Sequence, residues 1–247
     1  MERITKPRKP NESRNVFTEG IDYFKTGKSS IWCPGDKFTL KFLDKTNITG
    51  KWLNLAAGDG RYNLNLLKKA ELVVASDIDE SALSKLWHTT PEIYRNKLKT
   101  KAFNVIKKFP FANNSFDGIF SAGTLHLFQK KMLIKIFSEI DRVLKPKGKV
   151  IIDFAVDIRR VGRDGETITF GNEPLYTMDE ARMLLKDIFK NYRIRMYESE
   201  TEEEYPQANP PYRFSCRFIL VFGKEDNISK KKFDILSPGS NLNISGR

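Results

Sequence analysis

The sequence predicts an α/β protein: a mostly parallel sheet with helices packed on both faces. Three observations carry this. Short apolar strands alternate with helical patterns from residue 51 onward. Several of these strands are apolar throughout, as strands buried on both faces must be. Turns containing glycine or an acidic cap mark the points where strands give way to helices. A sheet of this kind binds ligands beyond the carboxyl ends of its strands, where the strand order reverses.

The elements follow in order. "KWLNLAA" (51–57) is the first strand, and "RYNLNLLKKA" (61–70) sets Tyr62, Leu64, Leu66 and Leu67 at helical spacing. "ELVVASD" (71–77) is the second strand. "DESALSKLWHT" (79–89) opens with Asp79 as an acidic cap and reads as helix. "KTKAFNV" (99–105) is a weaker strand and "SFDGIFSAG" (115–123) a stronger one. "KKMLIKIFSEIDRVL" (130–144) is a periodic helix that stops at Lys145-Pro146-Lys147-Gly148. "GKVIIDFAV" (148–156) is the most strand-like stretch of the chain. Arg163-Asp164-Gly165-Glu166 then signals a hairpin turn. "TMDEARMLLKDIF" (177–189) begins with Thr177 and Glu180 at capping-box spacing. "YRIRMYES" (192–199) and "SCRFILVFG" (215–223) close the pattern as strands.

Around this core, 46–224, the chain divides further. Residues 1–15 read as a polar, flexible arm. Residues 16–45, rich in aromatics, read as a helical lid that brings Tyr23, Phe24 and Trp32 toward the ligand side. Residues 157–177 read as a hairpin insertion over the pocket. Residues 225–247, rich in Ser, Asn, Gly and Lys, read as a flexible tail.

Composition narrows the function classes. With 247 residues, 40% hydrophobic and 30% charged, the chain suits an ordinary globular domain. No apolar run approaches the roughly 20 residues of a membrane span, and the first 15 residues are not a secretory signal. Cys33 and Cys216 make no metal-ligand spacing with His88 and His126. No metal and a cytoplasmic setting are expected. The net charge of +12 favours phosphate-bearing partners. The lysines are scattered, however, so a solvated surface is preferred to a nucleic-acid footprint.

"LNLAAGDGRY" (53–62) joins a strand to a helix through a turn in which Gly58 and Gly60 allow close backbone approach. A dinucleotide fingerprint needs a third glycine where Asn63 stands, so a bound pyrophosphate is disfavoured. Asp77 ends the second strand. A carboxylate there can accept hydrogen bonds from both hydroxyls of a ribose.

"LNLAAGDGR", "SDIDESAL", "FNVIKKFPFANNSFDGIFSAGTLHLF" (103–128) and "EIDRVLKPKGKVIIDF" (139–154) together resemble, in order, the class I S-adenosylmethionine-dependent methyltransferases. The resemblance covers roughly residues 45–223. It implies a Rossmann-like, seven-stranded sheet whose last strand is antiparallel, with S-adenosylmethionine as cofactor. By the same resemblance Asp77 holds the ribose and Ile78 packs on the adenine. Asn104 and Val105 meet the adenine edge. Ala56, Gly58 and Gly60 shape the floor under the methionine part, and Ser121 and Ala122 line its side. The chain departs from the family at Asn54, where an acid is usual, and at Ala56, where glycine is common.

Asn209-Pro210-Pro211-Tyr212 spells the quartet of amino-methylating enzymes of this family. In the family it follows the fourth strand, where this chain has Ser121-Ala122-Gly123-Thr124. Here it lies between the last two strands and reads as an extended loop. Methyl transfer from a sulfonium needs alignment more than a fixed catalytic group. His126 is the candidate base. Tyr23, Arg159, Arg160, Arg163, Glu173, Tyr176, Tyr205 and Tyr212 are the candidate acceptor contacts. Glu202, Glu203 and Glu204 would repel nucleic-acid phosphate. The expectation is methyl transfer to a small molecule. RNA or protein methylation, or a silent cofactor- or RNA-binding module on the same fold, is the alternative.

Overall fold

A computed structural model describes residues 23–32, 35–169, 173–205, 211–225 and 234–236. The strands are β1 (Lys51–Leu55), β2 (Leu72–Asp77), β3 (Leu98–Ala102), β4 (Phe116–Ala122), β5 (Leu144–Gly162), β6 (Tyr192–Tyr205), β7 (Tyr212–Glu225) and β8 (Asp234–Leu236). The helices are α1 (Lys37–Lys45), α2 (Asn63–Leu67), α3 (Glu80–Thr89), α4 (Glu92–Arg95), α5 (Lys130–Val143) and α6 (Met178–Ile188), with short 3₁₀ turns at Tyr23–Lys25 and Leu125–Leu127.

All the strands join one sheet in the order β3-β2-β1-β4-β5-β7-β6-β8. β1 to β5 run parallel. β7 is antiparallel to both β5 and β6. This is the expected arrangement with one addition. Asp234–Leu236, inside the segment read as tail, pairs in parallel with Arg195–Tyr197 at the sheet edge.

Both faces are covered, as the all-apolar strands require. α5 and α6 bury Leu133, Ile136, Phe137, Ile140, Leu184 and Leu185 on one face. On the other, α1, α2 and α3 bury Phe42, Leu43, Leu66, Leu67, Leu83 and Leu86. Between α3 and α5 a Phe-rich connection is clamped by two side chains of α5. Glu139 accepts from the Phe109 N–H at 2.7 Å. Arg142 donates to the Phe111 carbonyl at 2.8 Å and to the Phe109 carbonyl at 3.0 Å. The "EIDRVL" segment thereby fixes the chain that leads into β4.

Some boundaries differ from the pattern reading. α2 is shorter than 61–70: it spans Asn63–Leu67, and its N-cap, Tyr62, makes no side-chain capping bond. The helix at 130–144 ends at Val143, and strand pairing resumes at Leu144, across a bulge containing Lys147 at φ 64°. β6 runs six residues past Ser199, to Tyr205, because β7 pairs with its whole length. Beyond a second bulge, between Val156 and Arg159, β5 extends to Gly162 and turns at Arg163–Gly165; the Gly162 N–H donates to the Glu166 carbonyl at 2.8 Å. Of the Asn-Pro-Pro-Tyr quartet, Asn209 and Pro210 lie outside the described residues, and Tyr212 opens β7.

Trp52 on β1 sits directly opposite Gly118 on β4. Its indole, 1% exposed, occupies the space where a side chain at 118 would stand: a Cβ there would lie 2.3 Å from the ring. Gly118→Ala is therefore expected to destabilise the fold by about 1–3 kcal/mol. Trp52→Leu in the same chain should recover part of the loss, read as urea midpoints of the single and double variants.

Candidate functional site

Strand order reverses between β1 and β4, and a cleft opens at their carboxyl ends. The residues after β1 form its floor. Ala56 (φ 55°) and Gly58 (φ 54°) are both left-handed, so the backbone turns sharply there. Gly58 faces Trp32: a Cβ on it would come within 3.5 Å of the indole nitrogen. Gly123, after β4, has nothing within 4 Å of its Cβ direction, so the cleft is open above it.

Of the residues expected to hold a cofactor, Asn54, Ala56, Gly58, Asp77, Ile78, Asn104, Val105 and Ala122 all line this cleft. Two do not. Gly60, at φ 97°, packs toward α3, where a Cβ would stand 2.9 Å from Leu86. Ser121 points to the opposite face from Ala122, as strand alternation demands, and is buried.

Asp77 accepts from the Gly58 N–H at 2.8 Å and from the Asp79 N–H at 3.0 Å. Burial raises its carboxyl above the usual carboxylate range, and these backbone donors offset part of the rise. Asp79 caps α3 through Ser81 and Ala82, which leaves Asp77 facing the cleft. The Asn54 carboxamide donates to Asn63 at 3.1 Å.

The acceptor candidates divide. Tyr23 lines the cleft, buried, together with Trp32; the side chain of Phe24 lies outside the description. Tyr176 stands one layer back: its hydroxyl donates to the carbonyl of Phe128, which does line the cleft. The others lie elsewhere. Arg159 is exposed on the extension of β5. Glu173 is buried against Arg160 in a bidentate pair at 2.6 and 3.1 Å. Arg163 and Tyr212 border a separate surface depression with Glu204 and Arg213. Tyr205 pairs with Tyr212 through the backbone, and its side chain is not described. Arg159 and Arg160 lie on the extension of β5 past its bulge, which pairs with Tyr212–Ser215 of β7, and none of these residues lines the cleft. His126 is also corrected: it is buried beneath the cleft, edge-on to Phe154, and does not line it.

Three features escaped the sequence reading. Arg61 lines the cleft and brings a cation to it. Asp59, between the two glycines, pairs with Lys85 of α3 at 2.8 Å, both side chains almost fully buried. It also accepts from Ser30 Oγ at 2.6 Å and the Ile31 N–H at 2.9 Å, while Lys85 donates to the Ser29 carbonyl at 2.8 Å. This latch holds residues 29–31 over the glycine turn and so positions Trp32. The third feature is Asp153, 1% exposed in the middle of β5. Its Oδ2 accepts from Thr39 Oγ1 at 2.9 Å, and its Oδ1 has no hydrogen-bond partner among the described residues. Burial pushes its carboxyl up to about 7; the Thr39 bond and the Arg61 charge offset part of this, and Asp36 adds to it. An acid inside "VIIDFAV" was the available signal.

Two outcomes follow. Lys85→Met strands Asp59 as a buried charge and is expected to cost about 3–5 kcal/mol, with Asp59→Asn restoring much of it, read by urea unfolding. Asp153 titrates near 7 in the folded chain against an ordinary 3.8. Its proton thus favours the fold, and that stability is lost as pH rises through about 7. Asp153→Asn should melt several degrees above the unsubstituted chain at about pH 8, a gap that narrows as pH falls below about 7 and closes only near pH 4.

Residues 53–152 match the family model described as a methyltransferase domain. Over 100 residues, 40% of this chain, the sequence is 31% identical to phosphoethanolamine N-methyltransferase 1 of Triticum aestivum. The match spans only 20% of that relative's length. Among solved structures, DhpI in its SAH complex superimposes with a TM-score of 0.53 at 18% identity, covering 76% of this chain and 83% of that one. The YcgJ protein of Bacillus subtilis gives 0.58 at 14% identity, covering 77% and 97%. TehB of Haemophilus influenzae gives 0.54 at 18% identity, covering 71% and 57%. At such identities these structures speak to fold. No helix among the described residues is long and apolar enough to cross a membrane. Strand order and glycine turn thus agree with the matched segment: residues 53–152 are similar to a methyltransferase domain, and the sheet has the fold of these solved structures.

Proposed function

We propose that this chain transfers a methyl group from S-adenosylmethionine to a small-molecule acceptor. The observation that carries the reading is the cleft itself. Asp77 stands at one end with carboxylate oxygens available to a ribose, a left-handed glycine turn forms the floor, and Arg61 lies at the methionine end. Ile78, Asn104 and Val105 would flank the adenine. When bound, the cofactor supplies a methyl group already activated on a sulfonium.

The chain's own residues supply alignment and dryness. Tyr23 and Trp32, held down by the Asp59–Lys85 latch, would exclude water from the reacting centre. Gly123, Thr124, Leu127 and Phe128 would form the wall that meets the acceptor. A cleft lined by Tyr23, Trp32 and Phe128 suits a small molecule better than a folded polymer. The acidic run at Glu200, Glu202 and Glu204 on β6 also speaks against a nucleic-acid substrate. The side chains of this wall carry no charge, which suits an acceptor that attacks without first surrendering a proton to an enzyme carboxylate, such as a neutral amine nitrogen. The relative from wheat is named for methylation at nitrogen, in agreement with this choice.

Incubation of the full chain with methyl-labelled S-adenosylmethionine and a panel of small amines, phosphoethanolamine among them, tests the reading. A labelled amine product is expected, with Asp77→Ala lowering kcat/KM by at least about tenfold through lost ribose hydrogen bonds. Label passing instead to RNA or protein would overturn the acceptor class. Tight cofactor binding with no transfer to any acceptor would favour a silent cofactor-binding module.

A further inference from the structure

β3 is the outermost strand on its side of the sheet and pairs only with β2 among the described residues. The Val73 N–H donates to the Lys97 carbonyl at 2.8 Å, and the Phe103 N–H donates to the Asp77 carbonyl at 2.9 Å. Lys99 and Lys101, at the same parity, therefore turn their backbone groups to β2 as well. The N–H and C=O groups of Leu98, Thr100 and Ala102 point outward. They form a row of donors and acceptors with no strand beside it among the described residues.

The two faces of this edge differ. Leu98 belongs to the apolar cluster of Leu83 and Leu86 on the α3 side, and Thr100 and Ala102 line an open groove with Leu83, Trp87 and Glu80. Trp87 leaves 39% of its surface exposed there, with the Arg95 guanidinium 4.8 Å from its ring centre. Alternation turns Lys99 and Lys101 to the other face, where both are exposed. From Ile93 to Phe116 the sequence carries Arg95, Lys97, Lys99, Lys101, Lys107 and Lys108 and no acid. Arg95 and Lys97 donate to backbone carbonyls. Lys99 and Lys101 make no ion pair among the described residues, whereas Lys145, Arg182 and Arg217 each meet a carboxylate.

Lysines on an edge strand repel a second edge of the same kind. Two copies of β3 side by side would gather the lysines of both, so this edge selects against its own twin. It admits a strand that brings acids to Lys99 and Lys101. The alternate side chains of that strand would fall on the other face, against Leu83 and Trp87, where apolar groups fit. We propose that the open edge of β3 docks an extended segment of a partner protein in which acidic and apolar residues alternate. The segment adds one strand to the sheet: the backbone groups of Leu98, Thr100 and Ala102 give affinity, and the two faces give specificity. The groove shares none of its lining with the cleft, so the partner does not compete with a ligand there.

Fluorescence anisotropy of a labelled synthetic peptide of about eight residues, alternating Glu and Val, titrated with the full chain at low salt, tests it. Binding is expected, and it should weaken as salt is added. Lys99→Glu combined with Lys101→Glu should lower the affinity at least about tenfold. Both lysines are exposed, and an unchanged urea midpoint shows that the variant is folded. One of the two alternate sets of peptide nitrogens faces β3. Methylating that set should abolish binding, and methylating the other should leave it. No binding to the unsubstituted chain, equal binding to the double variant, or equal loss from both methylated sets overturns the proposal. Single-stranded RNA binding in a lysine-dependent way where the peptide does not would overturn it too, and would mark a nucleic-acid footprint instead.

Discussion

The buried pair of Asp59 and Lys85 ties together the parts on which the cleft depends. Asp59 belongs to the glycine turn, Lys85 to α3, and the groups they hydrogen-bond belong to residues 29–31. Three segments distant in sequence are thus fixed relative to one another by two side chains. Such a pair adds little net stability, because desolvation consumes most of its Coulombic gain. Its worth is positional. Unsatisfied charges in an apolar interior cost so much that an arrangement lacking these contacts is strongly disfavoured. Residues 29–31 therefore have one low-energy seat on the glycine turn, and the adjoining Trp32 lines the cleft with Tyr23.

Strand alternation is the second constraint, and it decides which polar residues belong to the site. On β4, Phe120 and Ala122 face the cleft while Ser121 turns to the α5 and α6 side. His126 lies on that second side as well, against Phe154. Asp153 falls on the first. Proximity along the chain to the end of β4 is thus a poor guide to membership in the cleft, whereas parity along a strand is a good one.

Much of the architecture was legible because the signals were local. Apolar strands, the Thr177–Glu180 capping box and the Asp79 cap all fold as their patterns require. The floor of the cleft was legible for a related reason: it is built from turns at strand ends, and turns announce themselves in sequence. What remained hidden is long-range. The glutamate-rich end of β6 has weak strand propensity and is strand only because β7 pairs with it. Glu173 looked available but is consumed by Arg160. Asp59, Lys85 and Asp153 owe their roles to partners 26 or more positions away, which no window on the sequence contains.

Trp52 and Gly118 illustrate a different kind of dependence. The indole fills the place a side chain would take on the neighbouring strand, so each residue is acceptable only because of the other. In the history of such a chain the two positions form a single heritable unit. Growth at 118 costs least where 52 has already become small, so the order of the two steps matters. The effect of a change at either site is therefore a property of the genetic background and not of the residue alone.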